Sequence, residues 1–302
     1  MSIFKLDPAF KDYIWGGTRL RDEYGKKCDY DKVAESWELS CHKDGPSVVA
    51  DGEYKGLTLN EYIEKAGKGV LGKNCERFEN FPILIKLIDA KDNLSVQVHP
   101  DNDYAMRVEG EYGKTEMWYV VDCDEGATLL YGFKHEITKE EFARRIADNT
   151  LLEVTNAVPV KKGDVFFIKS GTLHAIGKGI LIAEIQQNSN TTYRIYDYGR
   201  VGKDGKPREL HVNKALDVTK LAPAEQYPET PVEKKDGYDI KLLSKCEYFT
   251  TYRVNVETKA ELDADENSFN SILVLEGEPV ISGGETLSLI HISEPTRLQL
   301  IS

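Results

Sequence analysis

The chain lacks the features that tie a protein to a membrane, a disulfide frame or nucleic acid. No apolar run approaches the roughly 20 residues that cross a bilayer. The opening segment MSIFKLDPAFKDYIW has no basic start, apolar core or small-residue cleavage site, so it does not read as a secretion signal. Cysteine is scarce: Cys28, Cys41, Cys75, Cys123 and Cys246 are odd in number, scattered and free of Cys-x-x-Cys spacing. This argues against a disulfide scaffold or a thiolate zinc knuckle and leads us to expect reduced thiols in a cytoplasmic protein. Positive charge is also short. The 39 Lys and Arg face 51 Asp and Glu, a formal net charge of −12. No basic stripe with interleaved aromatics offsets it, so neither nucleic acid nor a membrane is an expected partner. An anionic substrate would need a local basic pocket inside an acidic shell.

The 302 residues suffice for two domains, or for one large β domain with attachments. What is abundant is short β-rich runs punctuated by Gly and Pro: FPILIKLIDA (81–90), LSVQVHP (94–100), MWYVV (117–121), ATLLYGF (127–133), DVFFI (164–168) and ILIAEIQ (180–186). They predict an all-β-dominated chain of sandwich or barrel type. Helices are expected to be few and short. One is LNEYIEKA (59–66). Another is TKEEFARRIADN (138–149), where Thr138 caps, Glu141 follows three residues on, and Phe142, Ala143 and Ile146 share a face.

Residues 222–236 (APAEQYPETPVEKKD) are rich in Pro and charge, lack periodicity and read as a linker. Beyond it, EMWYVVDCDEGATLLYG (116–132) is echoed by NSILVLEGEPVISGG (270–284): strand, acidic turn, strand, Gly. Asn270 stands where the first copy has Glu116, so the second copy reads as structural. The segment LSLIHISEPTR (287–297) matches the translation of a transposase sequencing adapter. Residues 287–302 are therefore expected to be an assembly artefact, ill-fitted to the fold, although their β-propensity still permits some strand pairing.

Three segments carry chemistry. In LSVQVHPD, strand alternation puts Gln97 and His99 on one face. Lys114-Thr115-Glu116 precedes an apolar strand. In GDVFFIKSGTLHAI, Gly163 and Gly171 flank a strand, and His174 follows a tight turn. Gln97, His99, Glu116 and His174 together can surround a divalent metal, and imidazole with carboxylate suits zinc.

LSVQVHPD, GKTEMWYV, SGTLHAI and QQNSNTTYRIYDY resemble the successive signature segments of type I mannose-6-phosphate isomerases, in particular the short bacterial form. YIWGGTRL (13–20) and AESWELS (34–40) resemble that family's N-terminal segments. The likeness runs from about Phe10 to Asp217 and continues more loosely beyond. It implies two cupin (jelly-roll) β-barrels: a catalytic domain over 1–221, the linker over 222–236, and a second, metal-free and truncated domain over 237–286. It implies one Zn2+ per chain, held by Gln97, His99, Glu116 and His174, and a small-molecule sugar phosphate as partner.

The resemblance also implies that Arg194 is essential, that Lys86 and Lys114 line the pocket, and that Glu184 is a pocket acid. Lys86 interrupts the apolar run PILIKLI, which is costly unless it faces a pocket. The implied reaction is aldose–ketose isomerisation through an enediol. Glu184, Lys86 and Lys114 are candidates for the proton-transfer base, and Arg194 for binding phosphate or a developing oxyanion. The chain departs from longer relatives at Asn190, where they have Asp, and at Lys169, which replaces a turn proline. Three rivals remain. A cupin dioxygenase would usually have three histidines and an acid. A non-catalytic sugar-binding or regulatory cupin would leave four converging ligands unexplained. A cupin-type glucose-6-phosphate isomerase is the nearest rival among isomerases.

Overall fold

The computed structural model describes residues 3–202, 205–283, 287–292 and 296–301. The chain is mostly β, arranged in antiparallel sheets, and divides into two compact units. One comprises Phe10–Trp37 and Leu84–Gln226. The other comprises Met1–Ala9, Glu38–Ile83 and Tyr227–Ser302. The change of unit at 226/227 falls inside the Pro-rich stretch read as a linker. The segment 38–83, grouped with the N-terminal half in the sequence, is instead grouped with the C-terminal part.

The unit around 84–226 holds two sheets. The six-stranded sheet runs in the order Val165–Ile168, Glu116–Cys123, Ile180–Gln187, Ile83–Ala90, Glu35–Leu39, Ala9–Lys11. The five-stranded sheet runs Tyr193–Tyr196, Val96–Val98, His174–Ala175, Thr128–Phe133, Thr155–Pro159. Trp118, Val120, Ile180 and Ile182 from the first sheet pack in one buried cluster with Leu129 and Tyr131 from the second. Burial of these side chains, each worth about 1.5–3 kcal/mol, holds the sheets face to face. A second cluster, with Val96, Val98, Phe133, Tyr193 and Ile195, seats the helices Lys139–Ala147 and Val212–Val218 through Phe142 and Ala215.

All six expected strands form, with ends shifted by a residue or two. Both expected helices form as well. Thr138 Oγ1 accepts from Glu141 N at 3.1 Å, and Thr58 with Glu61 closes a full capping box ahead of Leu59–Ala66. The helix Asn102–Val108 was not foreseen, because HPDNDYAMRV carries only a weak apolar face. Its cap was legible: Asp101 accepts from Tyr104 N at 2.9 Å.

In the other unit, one sheet runs Val232–Lys235, Tyr238–Lys245, Thr250–Val256, Thr296–Ile301, Ser271–Glu276, and a three-stranded one runs Lys259–Asp263, Leu287–Ile292, Pro279–Gly283. Part of the supposed linker is thus an edge strand. Asp236-Gly237, with Gly237 at φ 86°, turns it into a hairpin. The internal echo has a structural counterpart. Glu116–Cys123 and Thr128–Phe133 enter different sheets across an acidic turn, as do Ser271–Glu276 and Pro279–Gly283.

The adapter-like tail pairs as strands. Thr296–Ile301 lies between Thr250–Val256 and Ser271–Glu276, and Leu287–Ile292 between Lys259–Asp263 and Pro279–Gly283. Residues 293–295 and 302 of that tail lie outside the described residues. With Thr296–Ile301 and Leu287–Ile292 each between two partner strands, deleting 287–302 is expected to leave four strand edges unpaired and lower the aggregation temperature by several degrees. Differential scanning fluorimetry with light scattering checks this; a truncated chain as stable and soluble as the full one would contradict the mid-sheet position.

Candidate functional site

Alternation along three neighbouring strands of the six-stranded sheet builds one inner face from Leu84, Lys86 and Ile88, from Glu116, Trp118 and Val120, and from Ile182, Glu184 and Gln186. Glu184 stands opposite Trp118, and Gln186 opposite Glu116. The apolar half of this face joins the core cluster; the charged half, Lys86, Glu116 and Glu184, gathers at the other end. From the facing sheet, Gln97 and His174 are directly paired in register, and His99 follows one residue after Val96–Val98.

The two imidazoles are oriented by backbone carbonyls. His99 Nδ1 lies 2.9 Å from Thr191 O, and His174 Nδ1 lies 2.8 Å from Thr172 O. A carbonyl only accepts, so each Nδ1 carries the ring hydrogen and each Nε2 presents a lone pair. Gly171, at φ 84°, makes the turn that aims Thr172. A Cβ there would come within 2.9 Å of Val218 O, so only glycine fits without displacement.

The lone pairs meet at a common centre. His174 Nε2 is 3.1 Å from His99 Nε2, 3.4 Å from Glu116 Oε1 and 3.3 Å from the Gln97 amide nitrogen. His99 Nε2 is 3.7 Å from Glu116 Oε2. A half-turn of the Gln97 amide puts its oxygen in the same place. Four donors about 2.1 Å from one ion, placed tetrahedrally, would stand about 3.4 Å apart, which matches these separations. His99, Glu116 and His174 are all buried. Glu116 Oε1 has no hydrogen-bond partner among the described residues, a costly condition for a buried carboxylate unless a cation faces it. Burial, with the Lys114 charge, holds both histidines well below their ordinary range, so both are neutral near pH 7. Burial and the Glu184 charge push the Glu116 carboxyl up against the pull of Lys114. Two lone pairs and an orphaned carboxylate oxygen fit a divalent metal.

Beside this centre lies a buried chain of alternating charges. Lys114 Nζ ion-pairs with Glu116 and stands 3.2 Å from His99 Nε2 and 3.6 Å from Glu184 Oε1. Lys86 Nζ stands 3.4 Å from Glu184 Oε1, 3.6 Å from Glu35 Oε2 and 4.8 Å from the Trp37 ring. Trp118 Nε1 donates to Glu184 at 2.9 Å, and Trp37 Nε1 donates to Glu35 at 2.7 Å. Burial alone would lower the Lys86 pKa, but Glu35 and Glu184 overcome it and keep the ammonium charged. Burial alone would raise that of Glu184, but Lys114 and Lys86 overcome it and keep the carboxylate ionised.

Of the residues singled out in the sequence, Gln97, His99, Glu116, His174, Lys86, Lys114 and Glu184 come together. Arg194 does not join them. Its backbone pairs with Gln97, but Nη1 donates to Glu209 O at 2.9 Å, and Nε is buried without a partner among the described residues. Arg200 and Arg208 lie nearby, both held by Asp197. Lys169 is engaged in a largely exposed ion pair with Glu225. The sequence reading missed Glu35 and the two indoles. The signal for Glu35 is an acid flanked by Val33-Ala34 and Ser36-Trp37, and the structure buries all four of these neighbours.

The family profile "Phosphomannose isomerase type I, catalytic domain" matches residues 3–126. The mannose-6-phosphate isomerase ManA of Bacillus subtilis (strain 168) is 41% identical over 279 residues, covering 92% of this chain and 87% of that protein. A Streptococcus mutans mannose-6-phosphate isomerase is 40% identical over 277 residues, covering 90% of this chain and 84% of that protein. The chain belongs to the type I phosphomannose isomerases. It is of the short bacterial form: a crystal structure of the B. subtilis mannose 6-phosphate isomerase superposes with TM-score 0.89 at 37% identity, covering 100% of this chain and 99% of that one. The profile match takes in Gln97, His99, Lys114 and Glu116 but ends before His174, Glu184 and Arg194. His174 and Glu184 reach the cluster through the folding back of the strands, whereas Arg194 does not join it. Among the described residues no helix is long and apolar enough to cross a membrane.

Lys86 is the only ammonium within ion-pair distance of Glu35 among the described residues. Lys86→Met is therefore expected to strand a buried carboxylate and destabilise the fold by about 3–5 kcal/mol. Urea denaturation measures it, and a loss below about 1 kcal/mol would contradict the buried charge chain.

Proposed function

We propose that the chain interconverts mannose 6-phosphate and fructose 6-phosphate through an enediol, with one Zn2+ per chain held by Gln97, His99, Glu116 and His174. The observation that carries this reading is the convergence of two backbone-oriented imidazole lone pairs, 3.1 Å apart, with a buried carboxylate whose orphaned oxygen lies 3.4 Å from His174 Nε2. Relatives about 40% identical along most of their length, and named mannose-6-phosphate isomerases, support the substrate. We read the two facing sheets of the site-bearing unit as a cupin barrel and the sheets of the other unit as a second, metal-free one. We place the protein in the cytoplasm.

Isomerisation moves one proton from C2 to C1 and another from the C2 hydroxyl to the C1 oxygen, with no net change. Bound zinc would supply a Lewis acid for those two oxygens. Lys86, kept charged between two carboxylates, is suited to hold a developing oxyanion and not to abstract a proton. Glu184, kept ionised and fixed by Trp118, is then the candidate to take the C2 proton and return it to C1. Lys114 reaches both Glu184 and the metal ligands and is placed to serve the oxygen-to-oxygen transfer. Arg194, with Arg200 and Arg208 beside it, supplies the local positive charge that a phosphate requires in an acidic protein. A dioxygenase would want a third histidine, and the centre has two. A sugar-binding protein without activity leaves the buried charge chain without a purpose.

Purified protein is expected to form fructose 6-phosphate from mannose 6-phosphate, to lose that activity to a chelator and to regain it with zinc. His174→Ala should abolish both zinc retention and activity; turnover by a metal-stripped protein would contradict the reading. Glu184→Gln should lower kcat by about 10²–10⁴-fold with a smaller change in KM, and kcat within threefold of wild type would move the base elsewhere. Arg194→Lys, which keeps charge but loses the planar fork, is expected to lower kcat/KM by about 10–100-fold; wild-type kinetics would mean that Arg194 supplies only diffuse charge.

A further inference from the structure

The loop between the helix Asn102–Val108 and the strand Glu116–Cys123 carries, besides Lys114, an acid that the reaction does not use. One oxygen of Glu111 accepts from three groups of a single segment: Thr191 Oγ1 at 2.8 Å, Asn190 N at 3.2 Å and Ser189 Oγ at 3.3 Å. Thr191 N in turn donates to Ser189 Oγ at 3.2 Å, so the four groups form one knot. The segment needs such a knot, because it is an irregular stretch between the strands Ile180–Gln187 and Tyr193–Tyr196 with no ladder of its own. The carbonyl of Thr191 is the group that receives His99 Nδ1–H at 2.9 Å.

We propose that Glu111 is a positioning residue for the metal centre: by fixing Ser189, Asn190 and Thr191, it fixes the carbonyl that sets which nitrogen of His99 carries the hydrogen and where its Nε2 lone pair points. The inference rests on the zinc reading above for its consequence, but the orientation of His99 belongs to the chain alone. His174 needs no such device, since its carbonyl partner Thr172 sits two residues away in the same turn. The partner of His99 is 92 residues away in sequence and must be held by something else. A carboxylate is well suited to hold it, because it accepts several bonds at once, and charge-assisted bonds to hydroxyl and amide are stronger than neutral ones.

Two readouts test this. In metal-free protein labelled with 15N-histidine, the His99 ring should keep its hydrogen on Nδ1 in the wild type and in Glu111→Gln, whose amide oxygen still accepts. In Glu111→Ala it should populate both tautomers. In zinc-loaded protein, transfer of the ion to a chromogenic chelator should be about 10–100-fold faster for Glu111→Ala than for wild type, near wild type for Glu111→Gln and intermediate for Thr191→Ala. If Glu111→Ala does not fold, Thr191→Ala carries both measurements. An unchanged His99 tautomer in the alanine variants overturns the proposal whatever the metal does. A changed tautomer in the alanine variants, together with wild-type protein that takes up no zinc, upholds the positioning role and instead sinks the zinc reading. Chelator transfer at the wild-type rate with a changed tautomer overturns the claim that the positioning serves the metal.

Discussion

Two imidazole lone pairs and one carboxylate oxygen face each other in a buried space, and like-signed ends of dipoles and charges repel. That arrangement is the constraint on which the rest of this protein depends. Left in water, the three groups would hydrate separately. Here they are held by backbone carbonyls behind each histidine, by the strand register that sets Gln97 against His174, and by the sheet-to-sheet packing around Trp118 and Ile182. The apolar core keeps four polar side chains around a space that suits a cation, and the Lys114 ammonium already stands beside Glu116 and His99. A metal ion entering there would meet donors already oriented, so little reorganisation would be needed.

The charge chain beside the centre follows the same logic one step outward. Glu116, Lys114, Glu184, Lys86 and Glu35 alternate in sign, each within 3.6 Å of the next or in direct ion-pair contact. None is stable in that interior alone. Together they keep Glu184 ionised and Lys86 protonated at neutral pH, the two states that carbon-proton abstraction beside an oxyanion requires. The three carboxylates of this charge chain outnumber its two ammonium groups, so the positive charge that an anionic sugar phosphate would need has to come from Arg194, Arg200 and Arg208.

Much of this was legible in the sequence, for identifiable reasons. Period-two alternation placed Gln97 and His99 on one face, and the six strands were legible because their apolar content is high and their ends are marked by turn residues. The cap Thr138 announced its helix. A candidate set of side chains scattered over 78 residues (97–174) was legible because its segments resemble those of a family. What alternation cannot give is which strands become neighbours. For that reason Glu35 was passed over as one acid in a short run, and Arg194, six residues after the bend at Asn188, was expected in the cluster although its guanidinium turns to Glu209. The carbonyl behind His99 was invisible for the same reason, since a backbone carbonyl that accepts from a side chain leaves no residue-type signature. The segment Val232–Lys235 was hidden by composition: its charges mark solvent exposure, which an edge strand shares with a linker.

The central claim is that four side chains, Gln97, His99, Glu116 and His174, hold one zinc ion. X-ray absorption at the zinc edge, on protein loaded with one equivalent, measures this most directly. The account predicts a first coordination shell of nitrogen and oxygen at about 2.0–2.2 Å, with the outer-shell signature of two imidazole rings and no sulfur. Loss of one imidazole from that signature is predicted in His174→Ala. A shell containing sulfur, a shell with no imidazole contribution, or a signature unchanged by His174→Ala would contradict it.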